Sequence, residues 1–243
     1  MAWLRDMWTK EGPGIPKDVP RKSGLALFWE TLAREWLEIV KLNILFLLAA
    51  LFIVTIPAAL AAMARVCLSL VEDRNTYLMQ DFTQAMIRYF WRATAWGGAF
   101  TLALGVGGYA ITAYAASADD NLVFVVPLTI ALLACLFILL MACHLVMLMV
   151  MRDLAPLALL RLAALASVLR PLPALASLLF VATLWIAHIL FYPVSVFMPA
   201  AFNFSLGMFA VAFGVHRAAA MVLALPPARP VHGYPHAREA THS

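Results

Sequence analysis

From Pro171 to His216 the chain contains no Asp, Glu, Lys or Arg across 46 positions. At 1.5 Å of rise per residue this run would make about 69 Å of helix, roughly twice the thickness of a bilayer's hydrocarbon core. It must therefore cross twice, with Phe191-Tyr192-Pro193 as the natural turn. Three more runs lack formal charge: Leu42–Ala64, Ala93–Ala118 and Asn121–Met151. Of the 243 residues 65% are hydrophobic and only 12% charged, against about 25% charged in soluble domains. That leaves too few polar residues to cover a water-facing surface, whereas in lipid the exterior can be as apolar as the core. The fold class is all-α: a polytopic helical membrane protein with about five apolar segments, near 42–71, 93–118, 122–151, 171–191 and 194–216.

Between these runs the pattern changes. Residues 1–24 are polar and carry Pro13, Pro16 and Pro20, so an irregular segment is expected, with Trp3, Leu4, Met7 and Trp8 suited to a membrane interface. Phe28, Leu32, Trp36 and Ile39 recur at helical spacing, which predicts an amphipathic helix over Leu25–Lys41 running into the bilayer. Phe82, Met86, Tyr89 and Phe90 mark a short helix ahead of the second run. Leu154–Leu169 is apolar around Arg161, and Pro156 suits a helix start; the segment reads as an interfacial helix. Residues 25–217 thus form a single membrane domain, and the Pro-containing tail 218–243 is expected to be disordered.

Lys and Arg prefer the cytoplasmic side of a membrane. Seven precede Asn43, four lie between Arg65 and Arg92, three between Arg152 and Arg170, and three in the tail. The turns at 119–121 and 191–193 have none. All four basic segments, and both termini, can be cytoplasmic only if the chain enters and returns before Arg65–Arg92. The first apolar region is therefore expected to bend at Thr55–Pro57, as a hairpin or re-entrant element with a partial return limb. A secretory leader is not expected from the opening MAWLRDMWTK.

Several stretches in the first third carry a resemblance. Asn43 opens the first apolar run in KLNILFLL; IVTIPAALAAM follows at 53–63, then Arg65, and DFTQAMIRYFWRAT at 81–94 leads into the second long run. This part of the chain, about residues 25–95, resembles the YesL-type family of bacterial integral membrane proteins, defined by a domain of unknown function. It departs from the family pattern in lacking a Gly after Thr55-Ile56 and in having Ala58-Ala59 in place of a small-Thr pair. The resemblance implies a bacterial inner-membrane location and an accessory role beside carbohydrate uptake systems. It carries over no catalytic residues.

Polar groups within apolar runs are the candidates for function. Arg65 interrupts an apolar run; it reads as an ion pair with Glu72 or Asp73, as an anion contact, or as a side chain snorkelling to the interface. His144 and His188 could shuttle protons or serve as hydrogen-bonded neighbours within the bundle. Asn43 and Asn203 can bond across helices. Thr55 and Pro57 mark the bend. Cys67, Cys135 and Cys143 lack metal-ligand spacing, and His232, His236 and His242 are too loosely spaced for a metal. The small residues Gly97, Thr101 and Gly105 allow close helix packing within the chain; a homo-oligomer would also use them.

No H-E-x-x-H, Walker A or G-x-S-x-G motif occurs, and after Asp153 the only acid is Glu239. An enzyme, a bound cofactor and nucleic-acid binding are therefore not expected. The leading expectation is a non-catalytic accessory or regulatory membrane protein, associated with a carbohydrate (ABC-type) uptake system, with the lipid bilayer and transporter subunits as partners. The alternative is a small secondary transporter or channel with its site near the Pro57 bend and Arg65.

Overall fold

A computed structural model of the chain describes residues 23–225. Expectations for residues 1–22 and for the tail from 226 onward, including His232, His236 and His242, lie outside the described residues. Within them the structure is helical, without a strand: α1 (Leu25–Arg34), α2 (Trp36–Ala50), α3 (Ile56–Val71), α4 (Leu78–Asp120), α5 (Val125–Met151), α6 (Pro156–Leu169), α7 (Pro171–Leu190) and α8 (Phe204–Leu223). Contacts group the described residues into two compact units, 23–36 and 37–225.

The first unit contains α1. Gly24 precedes it with φ 62°, a left-handed conformation that only Gly adopts at no cost. Phe28, Thr31 and Leu32 are buried along one face at helical spacing. The Glu35 amide closes the helix on Thr31 O at 2.9 Å, and the Glu35 carboxylate pairs with Arg34 at 2.8 Å. The amphipathic helix expected over Leu25–Lys41 is thus divided at Glu35, and its second half belongs to α2.

In the second unit, five stretches are long and apolar enough to cross a membrane: Ile53–Val71, Leu78–Asp119, Leu122–Met151, Pro171–Leu190 and Val194–Leu223. The first follows a break. Helix α2 stops at Ala50, residues 51–55 form a turn ending in a 3-10 segment, and α3 begins with Pro57 in its first turn, where its missing N–H costs nothing. The bend therefore falls on 51–55, with Pro57 just beyond it. The chain reverses between the limbs, and both reach the same residue of α8. Asn43 on α2 bonds the Ser205 amide, and the Cys67 thiol on α3 lies 3.9 Å from the Ser205 carbonyl. In one straight helix those two residues would stand roughly 36 Å apart. The limbs have 15 and 16 residues, about 23 Å each, short of a core of about 30 Å.

Helix α3 is the inner helix of the unit. Ala58, Ala59, Ala61, Ala62 and Ala64 are all 0% exposed, and such small side chains let neighbouring backbones come close. Helices α4, α5 and α8 pack around it. Gly97 of α4 meets Pro57: a Cβ there would lie 2.7 Å from the proline ring. The most apolar stretch of α3 is 61% buried, whereas those of α4 and α5 bury none of their residues. Leu102, Tyr109 and Ile130 are among their exposed side chains, the surface that lipid can cover.

Two expected boundaries move. The short helix around Phe82–Phe90 and the run Ala93–Ala118 are one helix, α4, of 43 residues. Its charged side chains do not interrupt it, because only Pro, or a sequence that satisfies its backbone elsewhere, breaks a helix. At roughly 64 Å it exceeds a single crossing, so its polar first third extends beyond the apolar part. Helix α8 likewise runs through Arg217 to Leu223. Helix α6, at 14 residues with Pro156 in its first turn, is too short to span and packs against α5 and α8.

Candidate functional site

The polar groups named from the sequence fall into separate local constellations. The one tied most closely to the fold is at the start of α8. There Pro199–Asn203 winds as a π-helical turn before α8 begins at Phe204. A π turn shifts the i→i−4 ladder by one residue and leaves backbone groups off register. The Asn43 carboxamide from α2 fills that gap. Its Nδ2 donates to Pro199 O at 2.9 Å and Ala200 O at 2.8 Å; its Oδ1 accepts from the Phe204 and Ser205 amides, both at 3.1 Å. Two donors and two acceptor lone pairs are all a carboxamide has, so Asn43 is saturated as a splice between the hairpin and α8. Phe46 packs against Phe204 beside it, the rings tilted by 41° with centroids 5.1 Å apart. Asn203 is 1% exposed, and both its side-chain polar atoms lack a hydrogen-bond partner among the described residues.

The histidines are tied in locally. His144, 0% exposed, holds Nδ1 at 2.9 Å from Leu140 O and 3.2 Å from Ser167 Oγ on α6, while its Nε2 has no partner among the described residues. His188 at the end of α7 sits 3.0 Å from Ser195 O and 3.1 Å from Ser195 Oγ, with Trp185 against its ring. At the bend, the Thr55 hydroxyl donates to Ala49 O, at the end of α2, and to Phe52 O in the turn, which also accepts the Thr55 amide at 2.9 Å. Ser177 of α7 bonds Ala210 O of α8 at 2.9 Å.

Arg65 lies elsewhere, eight residues along α3 from Pro57, or about 12 Å. Its guanidinium is 3.5 Å from Val150 O, at the outer limit of a hydrogen bond, and Tyr89 Oη approaches the same carbonyl at 3.4 Å. The expected partner Glu72 pairs instead with Arg74 at 2.9 Å. Arg65 has no ion pair among the described residues. It borders a concavity of about 240 Å³, lined also by Ser69, Arg74, Asp81, Gln84 and Arg88. The α4 contribution was legible in the spacing: Asp81, Gln84 and Arg88 recur three and four residues apart, on one face of a helix. Asp81 accepts from the Tyr77 amide at 3.0 Å and so caps α4, and Arg88 lies over the Tyr89 ring at 5.6 Å. Next to it Arg92 ties α4 to the end of α5, through Asp153 and, at 2.6 Å, the Leu154 carbonyl.

The structure thus brings Asn43 and Asn203 to the same turn, but places Thr55 and Pro57, Arg65, His144 and His188 at four other places. Among the described residues no three His, Cys, Asp or Glu side chains are grouped to hold a metal ion.

Residues 39–110 match the family described as "Protein of unknown function, DUF624". That span holds most of α2, the bend, α3, the concavity's lining and α4 as far as Ala110. No curated protein and no solved structure matches the chain.

Proposed function

We propose that this chain is a non-catalytic accessory or regulatory protein of the bacterial inner membrane, of the YesL type, working beside the membrane subunits of a carbohydrate uptake system. The observation that carries the reading is how the polar groups inside the apolar helices are used. Asn43, Thr55, His188, Ser167 and Ser177 all bond groups of this same chain, at turns and helix contacts. Such groups make a rigid bundle and leave little to converge on a solute. The uncovered apolar sides of α4 and α5 supply surface for lipid or for a membrane subunit. The distribution of basic residues favours both termini in the cytoplasm, and the hairpin of α2 and α3 is consistent with that arrangement. The carbohydrate link rests on the family likeness over the first third of the chain.

A transporter would need Arg65, the bend and Asn203 to share a path, and they lie apart. Reconstituting the purified chain in proteoliposomes tests the choice. The accessory role predicts no sugar flux from the isolated chain and stoichiometric co-purification with the permease subunits of an ABC-type sugar importer. Sugar flux from the chain alone, abolished by Arg65→Ala, would overturn it.

A further inference from the structure

We infer that the concavity between α3 and α4 is a binding site for a phosphate group, carried by an anionic lipid or free in solution. Three guanidinium groups line it, from Arg65, Arg74 and Arg88, against one carboxylate, Asp81. Arg74 is neutralised by Glu72, and Asp81 is engaged at the α4 N-terminus. Arg65 and Arg88 have no carboxylate partner among the described residues. Arg65 stands out because its flanks on α3 are closed: Ala64 and Val66 are 0% exposed. A half-buried guanidinium brings five N–H donors, and this one has a single long contact to a carbonyl. Its open side is the concavity.

The other groups there suit an oxyanion with several oxygens. Gln84 adds a neutral donor, and Ser69, one helical turn after Arg65 on the same face, gives its hydroxyl proton back to the Arg65 carbonyl at 3.3 Å and lines the wall. Arginine forks bind phosphate oxygens in pairs, with charge-assisted bonds stronger than neutral ones. A carboxylate would offer two oxygens to a site that presents donors from two helices. The position also fits a membrane boundary. One turn past Arg88, α4 carries Arg92, and from Ala93 to Ala118 it carries no charge, so the concavity sits where the helix leaves its apolar part. Basic pockets between helices at that depth meet phosphate headgroups. This inference is independent of the accessory role.

The test uses the full chain in dodecylmaltoside micelles and follows the thermal midpoint. Dioleoylphosphatidylglycerol is titrated in one arm and inorganic phosphate in another. Dioleoylphosphatidylcholine and sodium chloride at equal ionic strength are the controls. The midpoint should rise saturably in the phosphatidylglycerol arm, the phosphate arm or both, and the arm that responds identifies the source. Arg88 is exposed, so Arg88→Gln folds without a buried cost. It should raise the half-saturating concentration about ten- to a hundredfold, the worth of one hydrogen bond to a charged group. Arg65→Gln should act likewise, and Arg161→Gln, an exposed arginine on α6, should change nothing. No response to either probe, an equal response to sodium chloride, or half-saturation unmoved by Arg88→Gln would each overturn the assignment.

Discussion

Replacing Asn43 probes the most connected polar side chain in the structure. Its carboxamide makes four hydrogen bonds to the turn ahead of α8, two donated and two accepted, and it is 0% exposed. Asn43→Ala removes all four and leaves two amides and two carbonyls without their partner. Hydrogen bonds between membrane helices average about 0.6 kcal/mol each, while an orphaned buried donor costs about 1–3 kcal/mol. The loss should therefore fall between about 2 and 6 kcal/mol. The lower figure applies if the π turn relaxes and the Phe204 amide returns to Ala200 O. Asn43→Asp is nearly the same shape and keeps both acceptor contacts, yet it loses both donors and sets a carboxylate against the carbonyls of Pro199 and Ala200. It should cost more than the alanine. Reversible unfolding of the purified chain in mixed micelles, titrated with dodecyl sulfate, measures both. Asn43→Asp within about 0.5 kcal/mol of the parent, or milder than Asn43→Ala, would refute the splice.

Three other substitutions give contrasting results in the same unfolding assay. Gly97→Ala forces a methyl against Pro57 and should cost about 1–3 kcal/mol. Gly98→Ala meets nothing within 4 Å and should stabilise by up to about 1 kcal/mol; equal effects at the two sites would contradict the packing of α4 on the bend. His144→Leu removes Nε2, which has no partner among the described residues, together with the Nδ1 contacts to Leu140 O, within the same turn, and to Ser167 Oγ, while Ser167 keeps its 2.8 Å bond to Ala163 O. Stability should stay within about 1.5 kcal/mol of the parent, and a loss above about 3 kcal/mol would show that the imidazole carries a structural bond. Asp153→Asn weakens an ion pair whose carboxylate is 72% exposed, so it should cost under about 1 kcal/mol and less still in high salt; a larger loss would mean that Arg92 depends on it.

The helical membrane class and the five apolar segments were legible because a bilayer imposes one strong condition, long runs without charge. The break in the first run was legible from Thr55 and Pro57, whose chemistry ends one helix and starts the next. Other features depend on partners far away in the chain. Nothing near Asn43 indicates that it serves a turn 156 residues on, since a π turn has no firm sequence signature. The helix around Phe82–Phe90 was expected to be separate from the charge-free run that starts at Ala93, but charge alone does not stop a helix, and α4 runs through Arg88 and Arg92. Glu72 was assigned to Arg65 by proximity in sequence, yet it lies at the C-terminal end of α3, where the chain turns and brings Arg74 to it instead. Arg65 was thereby left facing the concavity.

The turn-back of the first apolar region carries the proposed topology, in which both termini are cytoplasmic. Impermeant maleimide labelling of Leu37→Cys, Thr76→Cys and Phe52→Cys, each in a C67A/C135A/C143A background, tests it directly. Leu37 is exposed at the start of α2, Phe52 is exposed in the turn after it, and Thr76 follows α3. The account predicts that positions 37 and 76 label from the same face of the membrane, and that position 52 does not label from that face. Labelling of 37 and 76 from opposite faces would mean a single crossing and would contradict it.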